Sequence, residues 1–200
     1  MEWFTHVHPI TPLLIWVPVV AFLFWRSYDT HQLNGFSILS VAFAAFVFWT
    51  FAEYVLHRWV FHYVGDTQFS RRMQFMIHGL HHDDPSDYTR LVMPPFASIW
   101  LATGFYFLYR SILGPIWVDP FFAGFLIGYL VYDYTHYSVH HFRPRTRLGK
   151  MLKQNHMNHH FKQPDSLWGV SSPIWDYVFG TTQQPAASHS SSASPLRHGS

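Results

Sequence analysis

Two stretches of this chain, HGLHH at 78–82 and HMNHH at 156–160, repeat one His-x-x-His-His phrase with no surrounding repeat. Two further boxes accompany them. HRWVFH supplies His57 and His62, and HYSVHH supplies His136, His140 and His141. On a helix, positions i, i+3 and i+4 share a face. His78, His81 and His82 then project together, as do His156, His159 and His160, and His136 and His140 stand one turn apart. His57 and His62 are five apart, about 140° around a regular helix at roughly 100° per residue, so they straddle a site unless the helix is locally distorted. Imidazole suits Fe, Zn, Cu and Ni. These ten imidazoles exceed what one metal can use. Two metals with about five ligands each is the natural division, with each His-x-x-His-His box reaching both.

Uncoordinated, so many histidines would repel one another on protonation near the reference pKa of about 6.5. Metal holds them neutral and couples binding to folding. The chain has no Cys, which removes thiolate sites. Ca²⁺ and Mg²⁺ prefer oxygen ligands, and a structural zinc site is usually closed at four. The expectation is an iron pair doing O₂ chemistry, whose ligands would also accept zinc in purified protein. Metal-bound His usually donates its other N–H to a carboxylate, carbonyl or water. Glu53, four before His57, and Asp133, three before His136, are candidates for that outer role. His141 is an eleventh imidazole, placed as an outer donor or on the surface. His6, His8 and His31 are read as packed or solvated, and His189 and His198 as bystanders. No catalytic side chain is marked beyond the metal ligands.

The elements that must carry these boxes are apolar. The chain is 49% hydrophobic and 20% aromatic but only 12% charged, about half the charge of an ordinary soluble domain. Four stretches stand out: Ile10 to Trp25, Phe36 to Val55, Phe96 to Ile112 and Val118 to Tyr134. A spanning helix needs about 20 mostly apolar residues. The second stretch passes cleanly; the others are short, and the first carries Pro12 and Pro18. With no basic n-region and no small-residue cleavage site, the first reads as a retained helix rather than a signal peptide. Short connectors at 26–35 and 113–117 predict two helical hairpins opening to one side. Arg26 and Arg110 belong to the hairpin tips, and the other eleven of the 13 basic residues lie on the open side. That bias makes the open side cytoplasmic. All four histidine boxes fall on it. The formal charge of +2 is too small to imply nucleic acid.

The expected fold is therefore all-α and integral to a membrane. Four transmembrane helices in two hairpins would carry a cytoplasmic helical cap that holds a dinuclear His-rich metal site. Residues 1–182 form the expected membrane-bound domain, and 183–200, Ser-rich and without apolar periodicity, an expected disordered tail.

The boxes HxxxxH, HxxHH, HxxxHH and HxxHH, with paired apolar helices, resemble the fatty acid hydroxylase / sterol desaturase superfamily. The connecting text is more specific. HGLHHDDPSDYTRLVMPP (78–95), GYLVYDYTHYSVHH (128–141) and NHMNHHF…GVSSPIWDYVFGT (155–181) resemble the fatty acid 2-hydroxylase branch, over roughly residues 50–182. The resemblance implies a non-haem di-iron monooxygenase that inserts one atom of O₂ at C2 of a long fatty acyl chain, free or carried in a sphingolipid or other lipid. It implies as ligands His57, His62, His78, His81, His82, His136, His140, His156, His159 and His160. Tyr88 and Arg90 are then expected to meet a polar headgroup or carboxylate, and Trp168 and Trp175 to cover an acyl groove.

Many eukaryotic relatives carry an N-terminal cytochrome b5 domain, and only about nine residues precede the first apolar stretch here. A separate electron donor, such as cytochrome b5 or a ferredoxin, is expected on the cytoplasmic face. The basic run Arg143, Arg145, Arg147, Lys150 and Lys153 could steer an acidic donor or meet phospholipid headgroups. The membrane would be endoplasmic reticulum in a eukaryote and inner membrane in a bacterium. The boxes alone leave open a sterol, carotenoid or other lipid hydroxylase or desaturase. A membrane metal-binding or transport protein is the non-enzyme alternative, disfavoured because transporters hold ligands near the bilayer midplane.

Overall fold

The computed structural model describes residues 6–182, and the described residues form helices and connecting loops without strand. The Ser-rich stretch 183–200 lies outside them. α1 spans Thr11–Asp29 and opens with Pro12, whose missing N–H costs nothing in a first turn. α2 spans Gly35–Leu56, capped by Asn34, whose side chain accepts from the Ser37 N–H at 2.9 Å. α3 (Gln68–Gln74) and α4 (Leu80–Asp83) follow. α5 spans Pro95–His141, α6 Arg147–Phe161 and α7 Ile174–Val178.

Among the described residues, three helical segments are long and apolar enough to cross a membrane: Thr11–Asp29, Gly35–Phe61 and Pro95–His141. The third is not straight. Gly114 has φ 76° and ψ 175°, a backbone state essentially reserved for glycine. Phe105 and Phe125 would stand about 30 Å apart along a continuous helix, yet their rings are 5.4 Å apart. Tyr109 likewise meets Phe121 at 5.0 Å and Phe125 at 5.2 Å. The chain therefore doubles back at Gly114, and α5 is two packed arms. The tips are tighter than the sequence predicted. α1 runs on to Asp29, so the first connector shrinks to 30–34, and the second shrinks to the turn at Gly114.

The helices pack by close approach. A Cβ on Gly124 of the second arm would sit 2.0 Å from the Ala42 carbonyl oxygen of α2. Trp49 packs edge-on against Phe125 at 4.8 Å and Tyr129 at 5.6 Å. Between helices in lipid such contacts matter more than apolar burial, because lipid tails are themselves apolar. The outward surface is correspondingly apolar: Phe36 is 83% exposed and Leu14, Leu39 and Phe43 each 68%.

At the Gly114 end a polar cluster ties α1 to α5. Arg26 donates to both oxygens of the fully buried Asp119 and, at 2.8 Å, to the Tyr106 hydroxyl. His31 joins Asp119 at 2.9 Å. The opposite end carries the histidines.

Candidate metal centre

α2 ends in a wide turn. The His62 N–H reaches the His57 carbonyl five residues back, at 3.3 Å, and residues His57–Phe61 are π-helical. This distortion turns two histidines that a regular helix would splay into neighbours, with ring centroids 5.0 Å apart. A second π-helical turn, Phe75–Gly79, runs into the second box and carries its first histidine, His78. Such turns occur often at functional sites.

The described residues bring ten histidines into two groups of five. His57, His62, His78, His82 and His159 form one, and His81, His136, His140, His156 and His160 the other; within each, one ring nitrogen per residue lies within 4.8 Å of all the others. Each His-x-x-His-His box divides between the groups, since adjacent residues on a helix point to different sides. The groups touch where His82 stacks on His160 at 4.0 Å.

The nitrogen contacts fit metal better than hydrogen bonding. In the second group the Nε2 atoms follow one another from His136 to His81 (2.8 Å), to His160 (3.1 Å), to His156 (3.0 Å) and to His140 (2.8 Å). A neutral imidazole Nε2 offers one hydrogen or one lone pair, so hydrogens cannot bridge all of these contacts at once. In the first group His78 and His82 approach to 2.9 Å and His62 and His159 to 3.2 Å. Ligands at 2.0–2.1 Å from a shared ion stand roughly 3 Å apart. His57 Nε2 is buried with no hydrogen-bond partner among the described residues.

Burial, and after it the neighbouring imidazoles, push His62 down to about 3 and His82 to about 4. The same causes lower His78, His81, His156 and His160. Burial lowers His159 against an opposing hydrogen bond to Ser166. The lone pairs that a metal needs are thus free at neutral pH.

Backbone carbonyls hold the outer ring nitrogens of three histidines, while the Nδ1 atoms of His81, His156 and His160 are buried without a partner among the described residues. His57 Nδ1 donates to the Trp168 carbonyl at 2.5 Å and His159 Nδ1 to the Ser166 carbonyl at 2.7 Å. His136 bonds the Leu91 carbonyl. Between the first two carbonyls, Leu167 has φ 60°, a left-handed state rare for a branched residue. Two buried carboxylates pin this loop. Asp176 accepts from the Trp168 and Gly169 N–H groups, each at 2.8 Å. Glu53 accepts from Val170 and Ser171 at 2.7 and 2.8 Å, and from the Ser171 hydroxyl.

This corrects the expected outer partners. Glu53 acts on the loop rather than on an imidazole. Asp133 accepts from the Met93 N–H and the Tyr129 hydroxyl, each at 3.3 Å. His141 is exposed, with its ring on Tyr137 at 4.8 Å.

An apolar cavity of about 330 Å³ abuts the centre, with His78, His81 and His136 in its wall. Arg90 and Asp133 are among its other polar lining residues, and Phe96 and Trp100, 77% and 66% exposed, form its open side. Of the expected substrate contacts, only Arg90 lines it. Tyr88 is exposed outside it. Trp168 is buried against His62 at 4.8 Å and His159 at 5.1 Å. Trp175 packs on Phe51 at 4.9 Å and donates to Thr50.

Residues 42–181 match the fatty acid hydroxylase family. The chain belongs to that family. It is 40% identical over 168 residues to a dihydroceramide fatty acyl 2-hydroxylase of Arabidopsis thaliana, covering 84% of this chain and 70% of the relative. A fatty acid 2-hydroxylase of Mus musculus is 36% identical over 190 residues, covering 84% and 50%. Among solved structures, full-length Scs7p, of which only the hydroxylase domain is visible, superposes with a TM-score of 0.85 at 34% identity, over 92% of this chain and 70% of that one.

Proposed function

We propose that this member of the fatty acid hydroxylase family is a membrane-embedded di-iron monooxygenase that hydroxylates C2 of a long-chain fatty acyl group, as found in sphingolipids. The observation that carries the reading is the pair of five-histidine groups with an apolar cavity against them. The named 2-hydroxylases among its relatives give the position of attack.

The ten histidines would be the ligands, five to each metal. Bound iron would supply the redox chemistry that splits O₂, one atom replacing hydrogen at C2 and the other leaving as water with two electrons and two protons from a donor. The remaining work belongs to the chain. Burial keeps the imidazoles neutral, and the carbonyls of Ser166 and Trp168 aim His159 and His57. The cavity excludes water and holds the acyl chain. Arg90 in its wall, paired with Asp87 at 3.2 Å, keeps a cation beside an anionic or carbonyl-bearing head, and C2 is one bond from that head. The cap is read as cytoplasmic because basic residues crowd the histidine end. Arg143, Arg145, Arg147, Lys150 and Lys153 are available there to receive an acidic electron donor. We read α1, α2 and the two arms of α5 as four membrane crossings, and residues 1–182 as one domain.

The test is expression of the chain under ¹⁸O₂ in a host lacking 2-hydroxy acids but supplying iron and an electron donor, followed by mass spectrometry of hydrolysed lipids. Labelled 2-hydroxy acids are expected with the intact chain and none with the His81→Ala/His159→Ala double variant. A metal-loaded, folded protein that leaves the acids unchanged would sink the assignment.

A further inference from the structure

A second cavity lies deeper between the helices. It is small, about 30 Å³, and lined by side chains of α1, α2 and both arms of α5. Met93 and Leu101 line both cavities. On the second arm of α5 one stripe serves the two in succession. His136, Asp133 and Tyr132 face the outer cavity, and Tyr129, Leu126, Phe125 and Phe122 face the inner one. These positions recur at three- to four-residue spacing, so they form one helix face. From His136 to Phe122 the face is about 21 Å long at 1.5 Å per residue. That exceeds the ~15 Å half-thickness of a bilayer's hydrocarbon core, which one acyl chain fills.

Attack at C2 gives such a track a use. The reacting carbon is adjacent to the polar head, so nearly the whole tail extends away from the histidines on the side opposite the head. The outer cavity has its histidines and Arg90 as the polar end, and the continuation leads past Met93 and Leu101, where Asp133 is held by the Met93 N–H and the Tyr129 hydroxyl. We propose that Met93 and Leu101 form the constriction that sets acyl length, and that chains long enough to pass it place their methyl end in the inner pocket between Ala102, Phe105 and Phe122. This rests on the C2-hydroxylase reading above. The rival occupant of the inner pocket is a water held by the indoles of Trp16 and Trp49, which line it and whose N–H groups have no partner among the described residues.

The experiment uses the full chain in a host with a broad range of acyl lengths. Each 2-hydroxy acid is measured relative to its parent acid, so expression level cancels within a sample. Ala102→Phe fills the inner pocket and is expected to cut hydroxylation of the longest acids by roughly tenfold or more while sparing the shortest, since a few methylenes in an apolar site discriminate by that much. Leu101→Ala opens the constriction and is expected to shift the distribution toward longer acids. Should Ala102→Phe fail to accumulate, the Leu101→Ala shift decides the matter alone. An unchanged length distribution in Leu101→Ala, with wild-type protein active, overturns the proposal and leaves the pocket to water. A wild-type chain that makes no 2-hydroxy acid at all overturns the C2 reading, and the length rule falls with it.

Discussion

Three of the ten histidines, His57, His136 and His159, give each ring nitrogen its own task, and only one of the two tasks is written in the sequence. The inward nitrogens were legible because i, i+3 and i+4 spacing is a property of residue order. The outward partners were not. They are carbonyls at Leu91, Ser166 and Trp168, which have no side-chain signature, and the left-handed turn between the last two falls on a leucine. Asp176 stands near the fourth box in sequence, but its role depends on a loop closing over it. Replacing Asp176 with Ala leaves two buried N–H groups unpaired and frees the carbonyls that aim His57 and His159. Metal affinity is expected to fall by about tenfold, the lower end for an outer-layer change, in a chelator competition. Unaltered affinity would show that the loop does not orient the imidazoles.

The histidines also fix the response to acid of the metal-free protein. In the unfolded chain they bind protons below about 6.5. In the folded chain His62 resists protonation until about 3 and His82 until about 4. The unfolded state therefore holds more protons between those values, and stability falls as pH falls through that window. It is fully present above 6.5. Thermal unfolding in detergent after metal removal is expected to show Tm steady from pH 8 to 7 and declining below 6.5; a flat profile down to pH 4.5 contradicts neutral burial of these rings.

Among the elements, the apolar helices were visible as composition, and their joints were not. By spacing, His57 and His62 straddle the site unless the helix is locally distorted. The π-helical turn at His57–Phe61 resolves that conflict, and periodicity cannot reveal it because it is a departure from periodicity. The fold-back at Gly114 was foreseen as a connector, but its tightness depends on one backbone state. Gly114→Ala has open space for its Cβ, so its cost is torsional, about 1–3 kcal/mol. Gly124→Ala meets the Ala42 carbonyl instead and must push α2 from α5. In a detergent melt, Gly114→Ala is expected to lower Tm with the metal content intact. Gly124→Ala is expected to lower both, because α5 carries His136 and His140 and α2 runs directly into the turn that holds His57 and His62.

For the molecule as a whole, chemistry is concentrated at one end and closure at the other. Low charge and aromatic richness announced the membrane, whereas the contact between Arg26 and Asp119 joins residues 93 apart and has no local signal. Asp119→Ala strands Arg26. It is expected to destabilise the bundle by up to about 3 kcal/mol, the low end for a broken buried ion pair because Arg26 keeps partial exposure. The metal centre at the far end should still load.

Whether the histidines form two metal sites or one is read from the metal content per chain, by mass spectrometry of purified, iron-reconstituted protein. Two metals per chain are expected for the wild type. About one is expected for His62→Ala/His82→Ala, which strips the first group and leaves the second whole. A wild-type stoichiometry of one or none, in protein that is folded and monodisperse, would contradict the account.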